Sequence, residues 1–418
     1  VKIAIIGSGV SGLGAAYLLH QKHQVTVYEK NAVIGGHSRT LNVKTAQGDV
    51  SVDTGFIVFN YRNYPLLTGL FKHLDVPVQK SAMSFAASIG DGWLEYSTAS
   101  IPSLFAQKRN LLRPGYWKML ADIMCFFKES PRYLENNADI TLGECIAQMK
   151  MGDWFQRYFL LAMGGAIWSC PLEAMLRFPA QTFIRFFQNH GLLTVADQPQ
   201  WYTVTGGSEQ YVARLIQGFR KNIRTGCGVR RVQRNNGTVT VEDEQGGVAD
   251  YNHVIFACHA DQALKILADP SVEEKRLLGA FGYQPNRAIL HGDPSFMPNC
   301  KSAWASWVYR LEGREDEHPG ISLTYWMNNL QGIDAKTPLF VTLNPSRMPA
   351  SHLIYDDHMF EHPIFDKAAI AAQGELDSLQ GQQNSWFCGA YQRYGFHEDG
   401  FASGVNVAKK LGTEIPWS

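Results

Sequence analysis

The stretch IAIIGSGVSGLGAAYLL, residues 3–19, decides the fold. An apolar run suited to a strand buried on both faces ends in Gly7, Gly9 and Gly12, and a helix-forming run with Ala15, Ala16, Leu18 and Leu19 follows at once. Gly7 permits the tight turn, Gly9 lets the backbone approach a phosphate, and Gly12 allows close helix–strand packing. The helix N-terminus adds about half a positive charge facing the anion. A second β-rich run, residues 24–28, ends in Glu29. An acid about 20 residues beyond the glycines accepts hydrogen bonds from ribose hydroxyls and repels the extra phosphate of NADP. Strand, turn, helix, strand and acid together predict a Rossmann-like dinucleotide-binding unit.

Length and composition bound the remainder. The 418 residues exceed one ordinary core, so two domains are expected. Lys+Arg and Asp+Glu both number 38, which gives no general reason to expect nucleic acid as a partner. Seven scattered cysteines without a CxxC pair read as free thiols in a reducing compartment. The first apolar run lacks a charged leader and passes directly into glycines, so it does not read as a signal peptide. No stretch reaches the roughly 18 uncharged apolar residues of a membrane span. A cytoplasmic location is the expectation.

The cofactor is decided just beyond Glu29. The segment EKNAVIGGHSRTLNV puts Gly35 and Gly36, then Arg39 and Thr40, immediately after the ribose acid. Two glycines let the chain pass close to a cofactor, and a guanidinium offsets diphosphate charge. This arrangement resembles the flavin-containing amine oxidase superfamily, where a Gly-Gly pair and a nearby Arg lie along FAD. The sequence departs from the commonest form in having His37 directly after the glycines.

Further matching strings are spread along the chain. Asp53-Thr54-Gly55 resembles the superfamily's third N-terminal flavin-side element, and IRTGCGVRRV resembles the strand whose backbone, at Val229, pairs with adenine. Gly389-Ala390 stands where relatives carry a Gly-acid pair beside the diphosphate. Gly400, Phe401 and Ala402 open a last helix whose N–H groups, by this resemblance, face the flavin pyrimidine. More closely, GGHSRT, AIWSCP, FFQNHGLL, WYTVTGGS, TYWMNNLQ and GFHEDGFASG resemble a bacterial group of NAD/FAD-binding, amine-oxidase-like proteins. Members are often encoded near enzymes resembling cyclopropane-fatty-acid synthases.

The resemblance implies an α/β fold. Residues 1–60, 205–262 and 385–418 would assemble a Rossmann-like FAD domain from separated segments. Residues 61–204 and 263–384 would form an α+β substrate domain, helical in its first part and a mainly antiparallel sheet in its second. Segment 104–190 is rich in aromatics, including Trp117, Phe126, Phe155, Trp168, Phe183, Phe186 and Phe187. These read as core packing, as the lining of an apolar tunnel, or in part as a membrane-facing patch beside Lys118, Lys128, Arg132 and Arg157.

Chemistry is sparser. Amine oxidases of the superfamily typically place a lysine in the substrate-domain sheet, and the corresponding YQPNRAILHGDP has none. His291 in that strand, and His397 with Glu398 in GFHEDG, are the candidate catalytic groups, and each also reads as structural. His190 is a further candidate. No His/Cys/carboxylate cluster has metal-ligand spacing. Three functions stay open: an FAD-dependent oxidoreductase dehydrogenating or desaturating a fatty acyl chain or similar amphipathic substrate, a flavin amine oxidase, and a non-catalytic flavin-binding partner.

Overall fold

The computed structural model describes residues 1–46, 48–135, 140–160, 162–164, 175–189, 191–194, 198–235, 237–312 and 320–417. Trp168, His190 and the AIWSCP string therefore lie outside the described residues. β1 (Lys2–Ile6) is the centre of a five-stranded parallel sheet. It is flanked by β2 (Gln24–Tyr28) and β14 (His253–Phe256), with β10 (Ile223–Arg224) and β20 (Ser385–Phe387) at the edges. Alternation along β1 feeds two cores. Ile3 and Ile5 pack with Leu13, Ala16 and Leu19 of the helix Val10–Leu19, while Ala4 and Ile6 pack with Val232, Val241 and Leu277 on the other face. Parallel strands covered on both faces explain why the opening run is apolar without alternation.

Three antiparallel elements surround this sheet. β3 (Thr40–Thr45) and β4 (Gly48–Asp53) form a hairpin directly after the Gly-Gly loop. β11 (Val229–Asn235), β12 (Thr238–Asp243) and β13 (Val248–Tyr251) form a meander whose second turn uses Gly246 at positive φ. β5 (Phe59–Asn60), β9 (Trp201–Val204) and β6 (Val78–Ser81) make a small sheet.

A seven-stranded sheet runs in the order β19 (Ile354–Pro363), β15 (Tyr283–His291), β18 (Phe340–Leu343), β17 (Gly320–Trp326), β16 (Trp307–Glu312), β7 (Phe85–Ile89), β8 (Leu94–Ser97). Only β16 and β7 pair in parallel. The first part of the expected substrate domain is thus not purely helical, because it supplies β7 and β8. Gly90, Asp91 and Gly92, all at positive φ, turn the chain between two strands whose residues are all buried. One face of the sheet carries Ala288 and Leu290 into the largest core, with Phe155, Phe183, Phe186 and Phe187. Each such aromatic contributes about 1.5–3 kcal/mol through burial. The helix Pro114–Glu129 adds Tyr116, Met119 and Phe126 to that core. Among the described residues no helix is long and apolar enough to cross a membrane.

Candidate flavin site and its polar surroundings

The glycines of the opening turn divide by function. A Cβ on Gly7 would stand 2.6 Å from the Ala257 carbonyl oxygen, and one on Gly12 would stand 2.1 Å from that of Gly7. Gly7 also has φ +108°, so packing and backbone both require glycine there. Gly9 differs, because nothing lies within 4 Å of its built Cβ and its φ of −69° suits any residue. The protein itself makes no use of that space, which lies against the N-terminus of the helix Val10–Leu19. An open cradle at a helix N-terminus fits a diphosphate.

Glu29, at the C-terminal end of β2, is buried. Its Oε2 accepts from the Ser8 N–H at 3.0 Å and the Ser8 hydroxyl at 2.6 Å, and its Oε1 accepts from the Asn31 N–H at 2.8 Å. These three bonds fix the carboxylate while leaving acceptor capacity for a ribose hydroxyl. Residues 226–229 run alongside, since the Cys227 N–H donates to the Glu29 carbonyl and the Gly226 N–H to that of Asn31, both at 2.8 Å. Val229, itself buried, then begins β11, an edge strand of the meander.

The Gly-Gly loop closes on the same point. Gly36, at φ +58°, lies so close that its Cβ would be 3.0 Å from the Gly9 Cα. His37 follows, partly buried, stacked on Phe360 with ring centroids 4.9 Å apart and 5.3 Å from His362. Its Nε2 has no hydrogen-bond partner. Burial, then neighbouring His362, holds its pKa well below the ordinary value, so the ring is neutral. The orphaned buried imidazole nitrogen of His37, the residue after Gly36, is a second observation that fits a polar cofactor here. The C-terminal helix His397–Lys410 completes the enclosure. A Cβ on Gly400 would meet Val10 at 2.9 Å, and one on Gly404 would meet the Ser11 carbonyl oxygen at 2.2 Å. The ring of Phe401 covers Gly14, Ala402 is buried, and the Gly389 N–H donates to Ser403 Oγ at 2.8 Å. Two helix N-termini, the Gly36 loop and Gly389 therefore converge.

Arg39 and Thr40 each have partners within the protein. Arg39 donates to both carboxylate oxygens of Asp356 of β19 at 2.8 and 3.0 Å and to Thr54 Oγ1 at 3.2 Å. A guanidinium fork matches a carboxylate bidentately, and Asp356 is the carboxylate within reach. Thr40 donates to Asp53 Oδ1 at 2.6 Å and accepts from the Glu209 N–H at 3.0 Å. Asp53 is the centre of this network, with Ser208 and Gln331 also donating to it. Burial pushes its pKa up to about 6.

The three candidate catalytic groups are not brought together. His291 projects to the face of the seven-stranded sheet that packs Phe296 and Phe340, whereas Leu290 next to it faces the large core with Tyr394 and Phe396. Its Nε2 lies 2.7 Å from Thr342 Oγ1 and its Nδ1 accepts from the Asp293 N–H, so both nitrogens serve the local fold. Glu398 caps a helix: its two oxygens accept from the Leu66 and Leu67 N–H groups at 2.8 and 3.0 Å, at the start of Pro65–His73. Burial raises its pKa to about 7. His397 is partly buried, stacks on Phe56 at 3.9 Å, and places Nε2 2.6 Å from the Tyr211 hydroxyl and 3.2 Å from Ser38 Oγ. Tyr211 and Ser38 also share a hydrogen bond between their hydroxyls. Burial lowers His397 to about 3 and raises Tyr211 above its ordinary value, so the Ser38–Tyr211–His397 cluster is uncharged at working pH. Such a cluster can relay or orient a proton but is a weak base. Ser38 and Tyr211 were not legible as site residues, because nothing local marks a serine in a loop or a tyrosine on a helix.

Comparison with known proteins agrees with this arrangement. The chain matches "Putative flavin-containing monoamine oxidase AofH" of Mycobacterium tuberculosis at 24% identity over 285 residues, and it spans 59% of that relative's length. Among solved structures, a CLA-producing fatty acid isomerase from P. acnes is similar, with TM-score 0.70, 12% identity and 98% of both chains covered. Cyclohexylamine oxidase from Brevibacterium oxydans IH-35A is similar as well, with TM-score 0.67, 17% identity, and 98% of this chain and 99% of that one covered. At such identities the likeness carries the fold alone. Residues 10–302 match the family described as flavin containing amine oxidoreductase, and the chain belongs to that family.

Proposed function

We propose that the protein binds FAD and oxidises an apolar or amphipathic substrate, with a fatty acyl chain, dehydrogenated or desaturated, as the first choice. Segments 1–60, 205–262 and 385–418 are taken as the FAD domain and 61–204 with 263–384 as the substrate domain. The cradle at Gly9 and the helix N-terminus would hold the diphosphate, Glu29 the ribose, and the backbone at Val229 the adenine. The first turn of the helix His397–Lys410, which includes Gly400, and the start of the turn at Gly389 would face the flavin end. When bound, the flavin supplies the hydride acceptor. The chain's own part is to position a C–H bond and keep water out, with the neutral Ser38–Tyr211–His397 cluster holding its protons in place.

The observation that carries the substrate class is the fate of the carboxylates. Asp53, Asp356, Glu398 and Asp399 are each already engaged by donors of the protein: by Ser208 and Thr40, by Arg39, by the Leu66 and Leu67 N–H groups, and by the Phe396 N–H. The charge of Asp356 is met by Arg39, and burial holds Asp53, Glu398 and Asp399 toward the neutral form, which disfavours an ammonium partner at these four groups. The surroundings of His397 are aromatic instead, with Phe56 stacked on it and Phe186 stacked on the preceding Phe396 at 5.1 Å. The second reading, amine oxidation, is favoured by the family and by the printed name of the curated relative.

Anaerobic titration of the oxidised protein distinguishes the two. Phospholipids with methylated or unsaturated chains should bleach the flavin, while benzylamine and polyamines should not. Affinity should rise with chain length, because each buried methylene contributes about 0.8 kcal/mol. Rapid bleaching by an amine with none by lipid would reverse the ranking. Bleaching by neither would favour a non-catalytic flavin-binding partner.

A further inference from the structure

Six of the fifteen exposed large apolar side chains among the described residues fall within residues 93–124: Trp93, Ile101, Leu111, Leu112, Trp117 and Met124. Leu112 is 87% exposed, Ile101 77% and Trp117 49%. They form one surface. The Trp117 indole N–H donates to the Leu111 carbonyl at 3.0 Å, and the Phe105 ring lies 5.3 Å from that of Trp117, with Ile101 one turn before Phe105. Arg113 donates to the Trp93 carbonyl at 2.9 Å and lies over its ring at 4.6 Å. Trp117 and Met124 share the outer stripe of the helix Pro114–Glu129, whose inner stripe enters the large core.

The charge here departs from the neutral whole. Residues 98–128 contain five Lys or Arg and one acid, Asp122. Asp122 is buried and takes Lys118 as its partner. Lys108, Arg109 and Arg113 have no carboxylate partner among the described residues, and Arg109 and Arg113 instead donate to the Gly92 and Trp93 carbonyls. Arg132, expected from sequence to belong to such a patch, is neutralised by Glu129.

We propose that Ile101, Leu112 and Trp117, ringed by Lys108, Arg109 and Arg113, dock this protein on an anionic phospholipid bilayer. Protruding aliphatic tips enter the acyl boundary, an indole lies at the headgroup level, and unpaired cations meet lipid phosphates. The inference does not depend on lipid being the substrate.

The test is co-sedimentation of the full chain with vesicles of phosphatidylglycerol and phosphatidylethanolamine, and with vesicles of phosphatidylcholine alone. Binding is expected on the anionic vesicles, weakened by 0.5 M salt. Lys108→Gln should lower affinity about fivefold, in line with the worth of one cation near such a surface. Ile101→Gln with Leu112→Gln should lower it at least tenfold at unchanged flavin content and thermal melting, which excludes misfolding. Absence of binding, equal binding to both vesicle types, or indifference to the Ile101/Leu112 change overturns the proposal. Concentration-dependent self-association that the same double variant abolishes, without vesicle binding, would assign the surface to a second copy of the chain and likewise overturn it.

Discussion

Replacement of Glu29 separates the two duties of one carboxylate. Inside the protein it accepts three hydrogen bonds, two from Ser8 and one from the Asn31 N–H. In Glu29→Ala these donors are left under a buried turn. At about 1–3 kcal/mol per unsatisfied buried donor, with the Ser8 hydroxyl free to rotate to another acceptor, the apoprotein should lose about 2–4 kcal/mol. Glu29→Gln keeps an oxygen for Ser8 and so should retain most of the fold. It removes the charge, and with it a charge-assisted bond to a ribose hydroxyl worth about 1.5–3 kcal/mol, or roughly 10- to 150-fold in affinity. Urea unfolding of both apoproteins measures the first effect, and quenching of FAD fluorescence on titration measures the second. Glu29→Gln with wild-type FAD affinity would refute the assignment of this carboxylate to the ribose. Glu29→Ala with unchanged apoprotein stability would refute its role in the turn.

Other expectations follow from the same site. Glu398 is raised to about 7 in the folded chain from 4.5, so the folded state holds a proton that the unfolded state releases between those values. Stability should therefore fall as pH rises from about 4.5 to 7, by about 3 kcal/mol at most from this group, and Glu398→Gln should flatten that slope in urea midpoints. His397, lowered to about 3, should contribute no inflection to flavin reduction between pH 5 and 9, and an inflection near 6.5 abolished by His397→Gln would contradict its neutral state. Gly404→Ala would put a methyl 2.2 Å from the Ser11 carbonyl oxygen, so the two helices must separate. A loss of about 1–3 kcal/mol with faster flavin release is expected, and an unchanged melting curve would argue against that contact.

What was legible in the chain was local. The opening turn and Glu29 are separated by fewer than thirty positions, and the backbone geometry they require is fixed by glycine chemistry, so residues 3–29 announce the strand, turn and helix and the parallel pairing that follows. Glu398 illustrates the opposite case. Its adjacency to His397 suggested a polar pair, yet its hydrogen-bond partners lie 332 and 331 positions earlier, at a helix start only the folded chain brings near. The bidentate partner that Arg39 has within the protein, Asp356, lies 317 positions away and was not legible from the segment around Arg39. His291 shows how period 2 decides a role: being odd or even along β15 determines which face of the sheet a residue serves, and the motif around it does not reveal the register.

The central claim is that the converging Gly9, Gly36, Glu29 and Gly400 elements hold a flavin dinucleotide. Acid release of the cofactor from purified protein, followed by chromatography and its absorption spectrum, tests this most directly. The account predicts yellow protein yielding FAD, in a proportion approaching one per chain. Recovery of FMN alone, of NAD, or of a colourless protein that also fails to take up added FAD would contradict it.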